Sequence, residues 1–142
     1  MWVSEYHFDG LRMDATQSLY DASPRHIVTE MVECTRASVG SRGLLLIAEN
    51  EPQDVKMVTP AAQGGNGADS LWVDDFHHTT RVAAQGRSEA YLMDYQGTAQ
   101  ELISCALRNS LYQGQYYRWQ KKCRGSPLLN PPRTHRLLPA EP

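Results

Sequence analysis

Cysteine is scarce in this sequence. Cys34, Cys105 and Cys123 are the whole complement, an odd number with no metal-type spacing. That excludes a disulfide framework and leaves reduced thiols, as in a cytoplasmic protein. Long apolar runs are also missing. The longest, Leu44-Leu45-Leu46-Ile47-Ala48, falls far short of the ~20 residues of a membrane-spanning helix and has the length of a buried strand. No charge of one sign dominates. The net charge of -2 gives no electrostatic reason to expect nucleic acid or an anionic membrane as a partner. A basic-then-apolar leader is not seen, so no secretory signal is expected and the expected location is the cytoplasm. Proline is thin through most of the chain, with five of the eight prolines falling after residue 125. Residues 126–142 also lack an apolar period, which predicts a disordered tail.

What is present is enough for one ordinary domain: 142 residues, 41% of them hydrophobic, can enclose a core. Phe8 to Asp14 reads as a short strand with polar residues at its C-terminal end. Ser23-Pro24 gives a helix start, a capping hydroxyl followed by proline at the first helical position. Ile27, Val28, Met31 and Val32 follow at helical spacing, and Gly40 ends the run. Leu44–Ala48 then reads as a parallel strand covered on both faces, closing on Glu49-Asn50. Residues 50–69 are a predicted loop, with Gly64-Gly65-Asn66-Gly67 as its most flexible part. Leu71-Trp72-Val73 is a third strand, again closing on acids. Thr98-Ala99-Gln100-Glu101 fits a capping box for a helix ending at Gly114. Strand, helix, strand, loop, strand, helix is the grammar of a parallel α/β fold.

Three motifs carry chemistry. In Asp9-Gly10-Leu11-Arg12-Met13-Asp14-Ala15, alternate strand residues share a face, so Arg12 lies beside Asp14 and keeps it ionised. An ionised, oriented carboxylate can attack an anomeric carbon; a structural ion pair at a strand end accounts for the same spacing. Glu49, after a buried strand, sits where desolvation raises its pKa, which suits a general acid; a solvated residue at the strand end is the plainer alternative. In Trp72-Val73-Asp74-Asp75-Phe76-His77-His78, paired acids and histidines invite a metal. Adjacent histidines on a strand would point to opposite faces, so hydrogen bonding to sugar hydroxyls is the preferred functional reading; a supporting structural role is the plainer alternative.

Together, in this order, the motifs resemble the alpha-amylase superfamily of glycoside hydrolases, and within it the malto-oligosyltrehalose trehalohydrolases. Asp9–Ala15 is similar to the superfamily's strand-four signature, Glu49 stands at its strand-five acid, and Asp74–His78 looks like a segment typical of the subfamily. Ala48–Asp54 and Tyr112–Tyr117 resemble it as well. The resemblance runs from about Trp2 to about Pro132. It implies a partial (β/α)8 TIM barrel over residues 1–125, roughly strands four to six with their helices. It also implies a cytoplasmic enzyme that hydrolyses the alpha-1,4 bond next to a terminal trehalosyl unit of a malto-oligosaccharide-type substrate, with no metal or organic cofactor. Asp14 would be the nucleophile and Glu49 the acid/base. Arg12 would orient Asp14, Asp9 would be structural, and Asp75, His77 and His78 would contact the sugar.

The third catalytic carboxylate of the family lies in a downstream strand-seven motif, Phe-Leu-Gln-Asn-His-Asp. Here the chain reads Arg136-Leu137-Leu138-Pro139-Ala140-Glu141-Pro142, for which a shifted reading frame of that motif is one explanation. The chain as given is therefore expected to be inactive. Another superfamily enzyme, an amylase or a glucan-branching enzyme, stays open. So does a non-catalytic carbohydrate- or metal-binding module.

Overall fold

The computed structural model describes residues 1–95 and 116–123, together with the backbone of 136–138. Four strands form one parallel sheet: β1 (Gly10–Met13), β2 (Leu45–Glu49), β3 (Ser70–Trp72) and, near the C-terminus, a strand over Arg136–Leu138, in spatial order of sequence. Helix α1 (Ile27–Ala37) connects β1 to β2, and helix α2 (Asp74–Gln85) follows β3 directly. A small antiparallel hairpin pairs β4 (Tyr116–Tyr117) with β5 (Lys122–Cys123); the C-terminal strand is thus β6. The parallel α/β class is as the sequence predicts. Among the described residues, no helix is long and apolar enough to cross a membrane.

The register fixes which side chains share a face. Arg12 stands beside Ile47, Met13 beside Ala48, and Glu49 beside Trp72. Because side chains alternate along a strand, Met13, Leu46, Ala48 and Leu71 point to one face. Val28 of α1 packs there with Ala48, Met57, Val58, Ala68, Leu71 and Val73 in the main core. Arg12, Ile47, Glu49 and Trp72 point to the other face. Arg36 of α1 adds a polar strut, bonding Asp69 at 2.6 Å, while the other Asp69 oxygen accepts from the Leu46 amide at 2.7 Å.

Several expectations are corrected. The cap of α1 is His26, whose ring nitrogen accepts from the Val28 amide at 3.2 Å; Ser23-Pro24 lies in the turn before it. Within the predicted stripe Val28 and Val32 are buried, while Ile27 and Met31 stay exposed, because the sheet covers a narrow arc of a single helix. Residues 64–67 are not a loose tip. Asn66 is buried and bonds Thr29, and the amides of Asn66 and Gly67 reach the carbonyls of Lys56 and Thr59. The predicted strand end at 74–78 is the first turn of α2, so His77 and His78 project from a helix. The tail is not wholly without structure, since residues 136–138 pair with β3, Leu137 opposite Leu71. The predicted helix after Thr98 lies outside the described residues.

Candidate active site

The polar ends of the parallel strands meet at one edge of the sheet. One register step past Met13–Ala48 brings Asp14 level with Glu49, and Arg12 joins them. One guanidinium nitrogen is 2.7 Å from Asp14 Oδ1 and the other is 3.2 Å from Glu49 Oε2. A planar, permanently charged fork is the group best suited to hold two carboxylates in fixed relation. Its central carbon lies over the Trp72 ring, 5.1 Å from the centroid. The sequence reading pairs Arg12 with Asp14; that the same cation also reaches Glu49 depends on strand pairing.

Backbone groups lock Glu49 further. Its Oε2 accepts the Ala15 amide at 2.7 Å, and its carbonyl accepts the Thr16 hydroxyl at 2.6 Å. Asn50 donates to Thr16 at 3.1 Å and accepts from the Asp54 amide. Ala15 carries φ of 45°, a left-handed conformation that a residue with a Cβ adopts at a cost; it aims the amide at the carboxylate. Burial pushes the Glu49 carboxyl above its ordinary value. The Ala15 amide opposes that shift, the nearby Asp74 charge adds to it, Arg12 opposes it, and a hydrogen bond shared with Asp14 adds to it. Asp14 remains largely exposed, its side chain 75% open. The pair therefore consists of an exposed Asp14 and a shielded Glu49 whose carboxyl titrates above its ordinary value, unequal surroundings of the kind that acid/base chemistry at two carboxyls uses.

Beside the pair opens a cleft of about 550 Å³. Asp74 and His78 of α2 form one wall, Gln17 and Glu51 another, and Tyr91, Trp119 and Lys122 close it. Lys122 pairs with Glu51 at 3.3 Å. The hairpin carrying Trp119 is anchored by Asp94, whose two oxygens accept the amides of Trp119 and Gln120. Among the described residues, no three histidine, cysteine or acidic side chains gather as metal ligands.

The remaining expected site residues are distributed unevenly. Asp75 is 1% exposed and turned away from the cleft: its oxygens accept from Gln53 and from the Tyr95 hydroxyl. It ties the loop after β2 to α2 and to the 3₁₀ turn at Ala90–Tyr95, which corrects the expected sugar contact. His77 is exposed and lies off the cleft lining, a helical turn's geometry having rotated it away; His78 lines the cleft and packs on Tyr91 and Tyr95. Asp9 sits at the opposite end of β1, 3.5 Å from Arg42. The reading missed Asp74, Tyr91 and Trp119. Asp74 stands inside the Trp72–His78 motif, where nothing local separates it from Asp75; the two aromatics have no local pattern that would single them out.

No family model matches the chain. Curated proteins do. The chain is 40% identical over 117 residues to a malto-oligosyltrehalose trehalohydrolase of Deinococcus radiodurans, covering 82% of this chain and 18% of that protein. It is 31% identical over 124 residues to one of Saccharolobus solfataricus, covering 87% and 21%, and 33% identical over 130 residues to one of Mycobacterium tuberculosis, covering 89% and 22%. A solved structure assigned as an alpha amylase of Salmonella typhimurium superimposes with a TM-score of 0.73 at 31% identity, over 87% of this chain and 22% of that one. The chain is thus similar to malto-oligosyltrehalose trehalohydrolases and spans about a fifth of their length.

Proposed function

We propose that this chain is an arc of the (β/α)8 catalytic barrel of a retaining glycoside hydrolase that releases trehalose from malto-oligosyltrehalose. The observation that carries the reading is the Arg12 fork, which gathers Asp14 and Glu49 at the C-terminal ends of adjacent parallel strands. That is the rim where a β/α barrel builds its active site. The four strands, paired in sequence order, supply barrel strands four to seven, with β6 in the strand-seven place.

Asp14 is the nucleophile. Its side chain is largely exposed beside Arg12, and it attacks the anomeric carbon with the two carboxyls at the ~5–5.5 Å of a retaining pair. Glu49 is the acid that protonates the leaving oxygen and then the base that activates water. Its raised pKa keeps the proton available. Asp74, His78 and Gln17 offer hydrogen bonds to sugar hydroxyls, and the exposed rings of Tyr91 and Trp119 offer flat apolar faces to pyranose rings. Asp75 serves as a structural tie and His77 as a surface residue. The exposed free thiols of Cys34 and Cys123 fit a reducing compartment, the cytoplasm. No metal, organic cofactor, nucleic acid or membrane enters the scheme.

The likeness to an alpha amylase structure supports one second reading, hydrolysis of plain malto-oligosaccharides. Residues 1–123 exchanged for the matching stretch of the Deinococcus radiodurans relative test both. Preferential release of free trehalose from malto-oligosyltrehalose supports the first reading. Equal cleavage of plain malto-oligosaccharide replaces it with the second.

A further inference from the structure

Arg12 has one feature that the two carboxylates do not explain: the Trp72 ring beneath its guanidinium. Salt bridges fix the edge of a guanidinium but leave it free to tilt about that edge. Here the side chain is 37% exposed, so solvent reaches part of its surface. Trp72 stands next to Glu49 in the β2–β3 register and shares its face of the sheet, so the indole reaches under Arg12 from two strands away. A cation held 5.1 Å from an indole centroid lies within the range of ring-quadrupole attraction, for which tryptophan is the strongest partner.

We infer that Trp72 is a positioning residue: its ring clamps the face of the Arg12 guanidinium and thereby sets the relation between Asp14 and Glu49. Each nitrogen of the fork then meets a different carboxylate, and a tilt of the fork would release one of them. Glu49 is the more sensitive partner, because its contact is the longer of the two. The groups that face its carboxyl are Arg12, Asp14 and the Ala15 amide from the first strand and its exit, and Asp74 from α2. Losing the hold of Arg12 leaves burial and the two acids unopposed except by the Ala15 amide. On the glycosidase reading above, on which the catalytic meaning rests, loosening this clamp lowers kcat more than it raises KM, since sugar binding lies in the neighbouring cleft.

The test needs no substrate, so its outcome is independent of that reading. In the full chain, NMR should find the Arg12 Hδ and Hε protons displaced upfield by the indole ring current. Trp72→Tyr should keep the displacement and Trp72→Leu should abolish it. Titration of the Glu49 carboxyl carbon should move upward in Trp72→Leu and stay in place in Trp72→Tyr; a merely space-filling Trp72 would move neither. In a double-mutant cycle, Arg12→Met and Trp72→Leu should be coupled by about two- to fivefold in the unfolding equilibrium. Should Trp72→Leu fail to fold, the native and Trp72→Tyr spectra decide alone. Arg12 protons at ordinary positions in the native chain, or a Glu49 titration indifferent to Trp72→Leu, overturn the inference.

Discussion

At the scale of single residues, the Arg12–Asp14–Glu49 group combines two carboxyls in unequal surroundings. In the chimaeric enzyme, Asp14→Ala should remove the covalent route and Glu49→Gln the proton donor. The second loss alone is expected to slow hydrolysis by ~10²–10⁴-fold, measured as trehalose release under saturating substrate. Near-native rates with either variant would contradict the assigned roles. The pKa of Glu49 also bears on stability. Its folded value lies above the ordinary 4.5, so the native state binds that proton more tightly than the unfolded state does. This contribution to stability is fully present below the unfolded value and is lost as pH rises through the folded one. Glu49→Gln, which cannot ionise, should therefore gain relative to the native chain as pH is raised from below 4.5 toward neutrality. Urea midpoints at the two ends of that range check the sign; a constant difference would mean that the shift is absent.

At the scale of elements, packing overrides local flexibility in the β2–β3 connection. A Cβ on Gly65 would meet the Thr59 carbonyl oxygen at 2.0 Å and the Thr59 Cβ at 2.4 Å, closer than non-bonded atoms come. Neither contact is the end of a flexible side chain, so the backbone must move. Gly65→Ala should destabilise the domain by about 1–3 kcal/mol, read from chemical denaturation. Gly64→Ala, with open space but φ of 82°, should cost about 1–2 kcal/mol, the price of the left-handed conformation. A buried carboxylate governs the other side of the site. Asp75→Ala leaves the Tyr95 hydroxyl and the Gln53 amide without the acceptor they share in the core. A lost buried partner costs about 1–3 kcal/mol. The variant should also lose order around the cleft, seen as faster amide exchange in the loop after β2 and in the Ala90–Tyr95 turn. Protection unchanged in both segments would show that Asp75 does not tie them together.

At the scale of the whole molecule, the described strands form an open sheet. Among the described residues, the face bearing Arg12, Ile47, Glu49 and Trp72 is only partly covered, and β1 pairs on one side alone. A closed barrel would bury both. On the proposed reading hydrolysis also needs a third carboxylate, so the 142-residue chain alone should release no trehalose from malto-oligosyltrehalose above the rate of a heat-treated control. Sustained turnover by the purified chain would overturn the proposed need for a third carboxylate.

The sequence by itself determined the parallel α/β class and singled out Asp14 and Glu49 as candidate carboxylates. Continuous apolar runs ending in acids mark parallel strands, and the period-two spacing of Arg12 and Asp14 places them on one face. Those signals are local, carried by neighbouring residues along one element. Only the tertiary structure decided that one guanidinium serves both Asp14 and Glu49, because they lie 35 positions apart and meet through strand register. It also turned Asp75 inward and His77 outward, since a helix rotates successive side chains by about 100°, whereas the sequence reading placed them on a strand. The cleft wall was beyond sequence reading for the same reason. Tyr91 and Trp119 belong to separate segments, brought together by an anchor at Asp94 that no periodicity announces. Likewise, Leu137 finds a place only because β3 presents a free edge of backbone donors and acceptors for it to pair with.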